Sequence, residues 1–180
     1  MVVANNSDLT EKSGNAGVNP SSESFLWNLL NQIPDPDIPV VSIVELGLVR
    51  GVKIIDKLKA EVTITPSYSG CPAQSVFTDD IKSLLKQNGF NEVEVKVVLS
   101  PAWTTDWLSN DTKEKMRLHG IAPPENEPEA EALFCKQNKV KCPRCGNTNT
   151  HIISRFGSTP CKALWYCNYC SQPFEYFKCF

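Results

Sequence analysis

The 180-residue chain predicts an α+β domain followed by a small C-terminal zinc-ribbon β domain. The first is a small three-stranded sheet with helices on one face, in the order α-β-β-α-β-α. Three observations carry this. Two β-branched-rich runs, 48–55 and 59–65, flank a tight turn at Asp56-Lys57, and a third run, 92–99, alternates strictly. Apolar residues at helical spacing stand before, between and after these runs. Near the C-terminus are two cysteine pairs, Cys142-Pro-Arg-Cys145-Gly and Cys167-Asn-Tyr-Cys170, with 21 residues between them.

The elements follow in order. Residues 1–23, rich in Asn, Ser and Gly, predict a disordered tail. An amphipathic helix from Ser24 places Leu26, Leu29, Leu30 and Ile33 on one face, and Pro34-Asp-Pro-Asp37 stops it. Ser42 and Glu45 read as a capping box for one helical turn that Gly47 closes. The runs 48–55 and 59–65 are natural hairpin partners. A helix then opens after Cys71-Pro72 and ends near Asn88, with Gly89 as its C-cap and Val76, Ile81, Leu84 and Leu85 facing the core. Val93, Val95, Val97 and Leu99 share one face of the third strand, and a last helix starts at the Ser109 cap and ends before Gly120. These elements define a domain over 24–120. The Pro- and Glu-rich stretch 121–138 reads as a linker, and 139–180 as the ribbon.

Each C-x-x-C presents two thiolates from one turn, and two such turns facing each other make a closed S4 site. Zinc suits it, being borderline-soft and without d-electron geometric preference. Cys142, Cys145, Cys167 and Cys170 are therefore the metal ligands predicted here. Disulfides or a redox C-x-x-C are the competing readings, and paired knuckles are the more specific signal. Iron stays open beside zinc, because four thiolates accept both. His151 is not needed by a complete S4 site.

Charge is split along the chain. Residues 1–138 hold 12 Lys+Arg against 19 Asp+Glu, whereas 139–180 hold 6 against 1. A basic ribbon beside an acidic domain attracts either that domain or an acidic partner. Aromatic residues interleave with the ribbon's cations, a pattern that can stack single-stranded nucleic acid. A domain this small needs those aromatics for its core, and there is no dense Arg/Lys stripe, so no nucleic-acid partner is expected. No apolar run is long enough to span a bilayer. With no export signal in the N-terminal stretch, eight cysteines predict a reducing, cytoplasmic setting with metal or reactive thiols.

Cys71 stands alone before Pro72, which places it at the helix N-cap, where free N–H groups and the helix dipole stabilise a thiolate. Two readings stand: a reactive or metal-binding thiol, or a small buried apolar residue. Asp35 and Asp37 read either as hard ligands or an acid–base pair, or as turn formers bonding their own backbone. In Pro101-Ala-Trp-Thr-Thr-Asp-Trp107, residues Thr105 and Asp106 between the tryptophans are site-lining candidates, or capping groups in a core lid. Cys135, Cys161 and Cys179 read as uninvolved thiols.

Asp35-Pro-Asp-Ile-Pro39, Val41-Ser-Ile-Val-Glu-Leu-Gly-Leu-Val49 and Gly70-Cys71-Pro72 resemble the metal–sulfur cluster biosynthetic family that includes SufT-like iron–sulfur assembly factors. That family's acidic triplet is Asp-Pro-Glu; Asp37 shortens the third position by one methylene. Pro101-Ala-Trp-Thr-Thr-Asp-Trp107, Gly120-Ile-Ala-Pro-Pro124, Phe156-Gly-Ser-Thr-Pro-Cys-Lys-Ala-Leu164 and Pro173-Phe-Glu-Tyr-Phe-Lys-Cys179 narrow the resemblance. Over about 24–180 the chain is similar to the PaaD family, components of ring 1,2-phenylacetyl-CoA epoxidase.

The resemblance implies an accessory role in aerobic phenylacetate degradation, beside a di-iron oxygenase and a reductase with a flavin and an iron–sulfur cluster. No Glu-x-x-His helix pair and no nucleotide fingerprint is visible, so catalysis by this chain itself is not expected. The leading expectation is maturation. Cys71 would be a transient ligand for iron or an iron–sulfur cluster, in a monomer or across a homodimer, with Asp35 or Asp37 nearby and the ribbon docking the client. A non-catalytic structural component of the epoxidase complex is the alternative, and a thiol oxidoreductase using Cys161 or Cys179 as resolving cysteine is a third.

Overall fold

The computed structural model describes residues 22–124 and 140–178. Residues 1–21 of the predicted tail, all but the first four residues of the predicted linker, Cys135 and Cys179 lie outside the described residues; the last two tail residues, Ser22 and Glu23, begin the first helix instead. Helix α1 (Glu23–Leu30) opens on Ser22, whose Oγ accepts the Phe25 N–H at 3.3 Å, and buries Leu26, Leu29 and Leu30. The capping box is reciprocal. Ser42 N–H donates to Glu45 Oε2 at 3.0 Å and Glu45 N–H to Ser42 Oγ at 3.1 Å, which closes a single turn. Gly47 ends that turn at φ +71°, with an added Cβ only 3.4 Å from Trp107 Cβ.

Strands β1 (Val49–Asp56) and β2 (Lys59–Ile64) form the expected antiparallel hairpin. Helix α2 (Ala73–Gln87) crosses over to β3 (Glu92–Val97), which pairs with β2 in parallel, so β2 is central in the order β1-β2-β3. A parallel partner requires such a crossover, and α2 supplies it. Helices α1 and α2 touch each other and the sheet, burying Ala60, Val62 and Ile64 of β2. The intervening β2 residues are more open, and Glu61 pairs with Lys96 of β3 at 2.5 Å.

Two details of the predicted faces change. Val76 is 45% exposed and Phe77 takes its place, because the buried stripe of α2 runs Ala73, Phe77, Ile81, Leu85 at a four-residue step. The third strand ends at Val97, whose partner Ile64 is the last residue of β2. Val97 itself is exposed, as is Leu99, which runs past the sheet, so only Val93 and Val95 of the predicted face pack against the core.

A short 3₁₀ turn (Thr105–Trp107) precedes α3 (Asn110–Leu118), which is capped by Ser109 and ended by His119 and Gly120. The chain then enters a second sheet directly. Strand β4 (Ile121–Ala122), assigned above to the linker, pairs in parallel with β7 (Gln172–Phe177). Strands β5 (Thr150–Ser154) and β6 (Lys162–Cys167) complete the order β4-β7-β6-β5. Among the described residues no helix is long and apolar enough to cross a membrane.

The two sheets share a seam. Cys161 and Phe177 of the ribbon belong to the core of the first domain, while Ala122 joins Val140, Trp165, Phe174 and Tyr176 in the ribbon's own core. Trp103 meets Phe177 edge-to-face, with centroids 6.1 Å apart at 83°. Arg117 of α3 donates to the Pro143 carbonyl at 3.1 Å. The ribbon is therefore packed against the first domain as well as carried by it.

Candidate functional site

The ribbon knuckles are built alike. The residue after the second cysteine of each pair is left-handed: Gly146 at φ +74° and Ser171 at φ +56°. All four Sγ atoms lie within 4.8 Å of one another, with Cys142–Cys170 at 3.8 Å and Cys145–Cys167 at 3.6 Å. A tetrahedron of sulfurs around zinc at about 2.3 Å has edges of about 3.8 Å, so the spacing fits zinc without rearrangement. Electrostatics agree with the geometry. Burial and the neighbouring thiols push Cys170 up to about 12. For Cys167 burial acts the same way, but the N–H groups of Cys170 and Tyr169 outweigh it and bring the thiol down to about 7. Four thiols this close cannot all ionise without a cation to neutralise them. His151 is exposed and leans on Tyr166, 5.5 Å between ring centres.

A second constellation lies at the seam. Gly70 at φ +89° turns the chain into Cys71, which is half-buried. Cys71 is not the N-cap of α2: the helix begins at Ala73, Pro72 is the cap, and no side chain caps it. The first turn is closed by Gln74 N–H donating to the Cys71 carbonyl at 3.2 Å, a tight i+3 bond that shifts the start by one residue. The thiol's partner is the Tyr68 side chain, whose hydroxyl burial holds above its ordinary pKa, with the Cys71 and Cys161 charges adding to the effect.

Asp35 and Asp37 divide their roles. Asp35 Oδ1 accepts the N–H groups of Asp37 and Ile38, both at 2.8 Å, which is the turn-forming arrangement. Asp37 faces the ribbon: its Oδ2 lies 3.7 Å from Cys161 Sγ, and its carbonyl accepts from Lys162 Nζ at 3.1 Å. Asp35, Asp37, Cys71 and Cys161 line one cavity of about 20 Å³, roofed by Trp103 and Phe177. That is room for one water or ion.

Cys161, read from the sequence as uninvolved, is thus part of this site. It is buried, 3.0 Å from Thr159 Oγ1, and its thiol is pushed up to about 11, chiefly by burial and then by Asp37 and Asp35. The loop that delivers it is tightly tied. Gly157 N–H donates to the Lys162 carbonyl at 2.8 Å and Ser158 N–H to Glu175 Oε1 at 2.7 Å, while buried Lys162 pairs with Glu175 at 2.8 Å. An added Cβ on Gly157 would lie 2.8 Å from Glu175 Oε1. The run from Phe156 to Leu164 carried this signal as a block, but nothing in it says which surface the loop faces. Thr105 is buried in the 3₁₀ turn and Asp106 is exposed, and neither lines the cavity. Trp103 from the same segment does, as a core lid, with its Nε1 donating to the Leu46 carbonyl at 2.8 Å.

Burial raises Asp35 from 3.8 to about 6, opposed by its two N–H bonds. The folded chain then binds this proton more tightly than the unfolded one between about pH 4 and 6. The contribution of Asp35 is most favourable below that window and is lost as pH rises through it, by about 2–3 kcal/mol. Asp35→Asn retains a carbonyl oxygen for the turn and removes the charge. It is expected to be more stable than the parent at pH 7.5, with the gap closing towards pH 4. Urea denaturation at the two pH values measures this, and a pH-independent gap would contradict it.

Comparison with known proteins reaches both parts of the chain. Residues 24–97 match the family model described as iron-sulfur cluster assembly protein, and 126–178 the PaaD zinc beta ribbon domain. The Fe-S protein maturation auxiliary factor YitW of Bacillus subtilis (strain 168) is 34% identical over 49% of this chain and 86% of its own. A solved domain of unknown function (DUF59) from Bacillus anthracis shares 35% identity over 51% of this chain and 87% of its own, at a TM-score of 0.48. An Escherichia coli (strain K12) protein, named as a candidate component of 1,2-phenylacetyl-CoA epoxidase, is 44% identical over 91% of this chain and 97% of its own. Likeness of that extent, running through both domains and the seam between them, means that this chain belongs to the PaaD family of 1,2-phenylacetyl-CoA epoxidase components.

Proposed function

We propose that the protein is an accessory component of the phenylacetyl-CoA epoxidase system that helps load iron or an iron–sulfur cluster into the oxygenase complex, with Cys71 as the transient ligand. One observation carries the reading. The solitary thiol of the iron–sulfur assembly domain borders an ion-sized cavity beside the Asp37 carboxylate. A site with few donors binds iron loosely, which suits a carrier that must release its load. Its cytoplasmic partners are the other epoxidase components, and the basic ribbon is the surface offered to them.

The ribbon cysteines Cys142, Cys145, Cys167 and Cys170 hold the resident zinc. When bound, it supplies a redox-inert cross-link between the knuckles. The residues around it fix β6 and β7, and through them the side of the seam that faces Asp37.

Cys71→Ser keeps the size of the side chain and removes the soft ligand. In cells expressing the complete epoxidase, the variant is expected to lower epoxidase activity on the order of tenfold or more. Reconstituting the purified oxygenase complex with iron and sulfide should restore it. Unchanged activity with Cys71→Ser would overturn the reading.

A further inference from the structure

We infer that the cargo site is shared between the two domains: Cys71 and the ribbon's Cys161 together bind one borderline divalent metal ion, Fe(II) as cargo, with the Asp37 carboxylate as a hard third donor. The inference rests on the maturation reading and deepens it by naming a second thiol, from the other domain, that the iron–sulfur assembly match at 24–97 does not reach.

Four facts support it. Both thiols line the same cavity, and its volume of about 20 Å³ is room for a single water-sized ion. Tyr68, hydrogen-bonded to Cys71, also feels the charges of Cys161 and Asp37, so the groups from the two domains share one electrostatic neighbourhood. Cys161 is aimed at Asp37 by its own contact at 3.7 Å and by the Thr159 hydroxyl at 3.0 Å. Lastly, the polar side chains lining the cavity are two carboxylates, two thiols and the Ser67 hydroxyl, with no cation among them, so the site favours a positive ion. The nearby cation, Lys162, is already engaged by Glu175 and the Asp37 carbonyl. A mixed set of two sulfurs and a carboxylate suits a borderline divalent cation, the class to which Fe(II) belongs.

The three donors are not gathered into a finished coordination sphere. Among the described residues only the four ribbon cysteines come together within 4.8 Å as a group of three or more. The seam site thus assembles as metal enters, by side-chain rotation, and disassembles on release. Each thiol gives its proton to solvent on binding, and no electron moves. Because Cys161 reaches the seam on the loop between β5 and β6, the ribbon's zinc becomes a precondition for cargo binding in the other domain.

The test is anaerobic titration of the full-length, zinc-loaded protein with Co(II), a spectroscopic stand-in for Fe(II). Wild type should bind one equivalent beyond its zinc, with sulfur-to-cobalt charge-transfer absorption. Cys161→Ala, which removes the thiol and adds neither bulk nor charge, should retain ribbon zinc and bind this equivalent on the order of tenfold more weakly, with the band reduced. Cobalt binding by Cys161→Ala equal to wild type overturns the inference. If Cys71→Ser alone abolishes binding in that case, the single-thiol maturation reading still stands. Loss of folding in the variant is covered by a second measurement on wild type: alkylation of Cys161 by iodoacetamide, followed by mass spectrometry. Co(II) should slow labelling of Cys71 and Cys161 together, and an unchanged rate at Cys161 overturns the shared site.

Discussion

Cys167→Ser is expected to unfold the ribbon and to weaken the first domain with it. Cys167 is fully buried, with its sulfur 3.6 Å from Cys145 and its side chain in the ribbon's small core. Among the described residues that core has eight buried members, too little apolar surface to hold four strands alone. Metal binding by such a site contributes about 10 kcal/mol or more to folding, and three thiolates with a hydroxyl forfeit much of it. The damage should spread because Phe177 and Cys161 sit in the other domain's core. Zinc content by elemental analysis, near-ultraviolet circular dichroism and thermal melting report the three levels. Zinc should fall well below one per chain, the aromatic signal of Trp165 and Tyr176 should flatten, and the remaining transition should move down. Strong chelation of the wild-type protein should reproduce all three changes. A zinc-free variant that melts like the parent would show that the ribbon core stands without metal.

The second large effect is expected at Trp103. Its ring is 4% exposed, stacks edge-to-face on Phe177, and donates Nε1–H to the Leu46 carbonyl. Trp103→Ala removes that volume at the junction of both domains and should cost about 3–5 kcal/mol. Leaving the buried Leu46 carbonyl without its donor adds about 1–3 kcal/mol. Trp103→Phe helps separate the two contributions, since it keeps much of the apolar contact while removing the N–H donor. Urea denaturation should rank wild type above Trp103→Phe, and Trp103→Phe well above Trp103→Ala. Equal losses in the two variants would assign the effect to the hydrogen bond alone. A loss below about 1 kcal/mol for alanine would mean that the seam collapses to fill the gap.

What could be read in advance was local. Ser42 and Glu45 bond each other three residues apart, Ser109 caps the helix that follows it, and β1 and β2 pair at once through a turn at Lys57-Leu58, one residue on from the expected Asp56-Lys57. Such contacts are written in neighbouring residues, so their spacing reveals them. The knuckles belong to the same class, since each cysteine pair is a local turn whose chemistry demands a second pair. The faces of α2 and β3 were less legible. Val76 and Phe77 are adjacent and both apolar, and only the sheet under the helix selects Phe77. Leu99 continues the alternation of β3 but has no partner strand beneath it.

The site divides in the same way. Cys71 stood out because a solitary thiol between Gly70 and Pro72 is locally unusual. Its supposed cap position failed on a one-residue shift in how the first turn of α2 closes. Asp35 and Asp37 were ambiguous because one carboxylate can serve a turn or a ligand, and the hydrogen bonds of Asp35 decide for the turn. Cys161 was illegible, since it lies 90 residues from Cys71 and 124 from Asp37.

By itself, then, the sequence determined the α+β order, the paired knuckles and their thiolate chemistry, and the isolated thiol of the first domain. Each depends on residues a few positions apart, where chain geometry leaves little choice. Only the tertiary structure decided that β3 runs parallel to β2, that Ile121–Ala122 enters the ribbon sheet, and that the ribbon closes over Asp37 and Cys71. Those contacts join segments far apart in the chain. They form because Phe177, Trp103 and Cys161 bury apolar surface at one seam, and that burial has no period along the sequence to betray it.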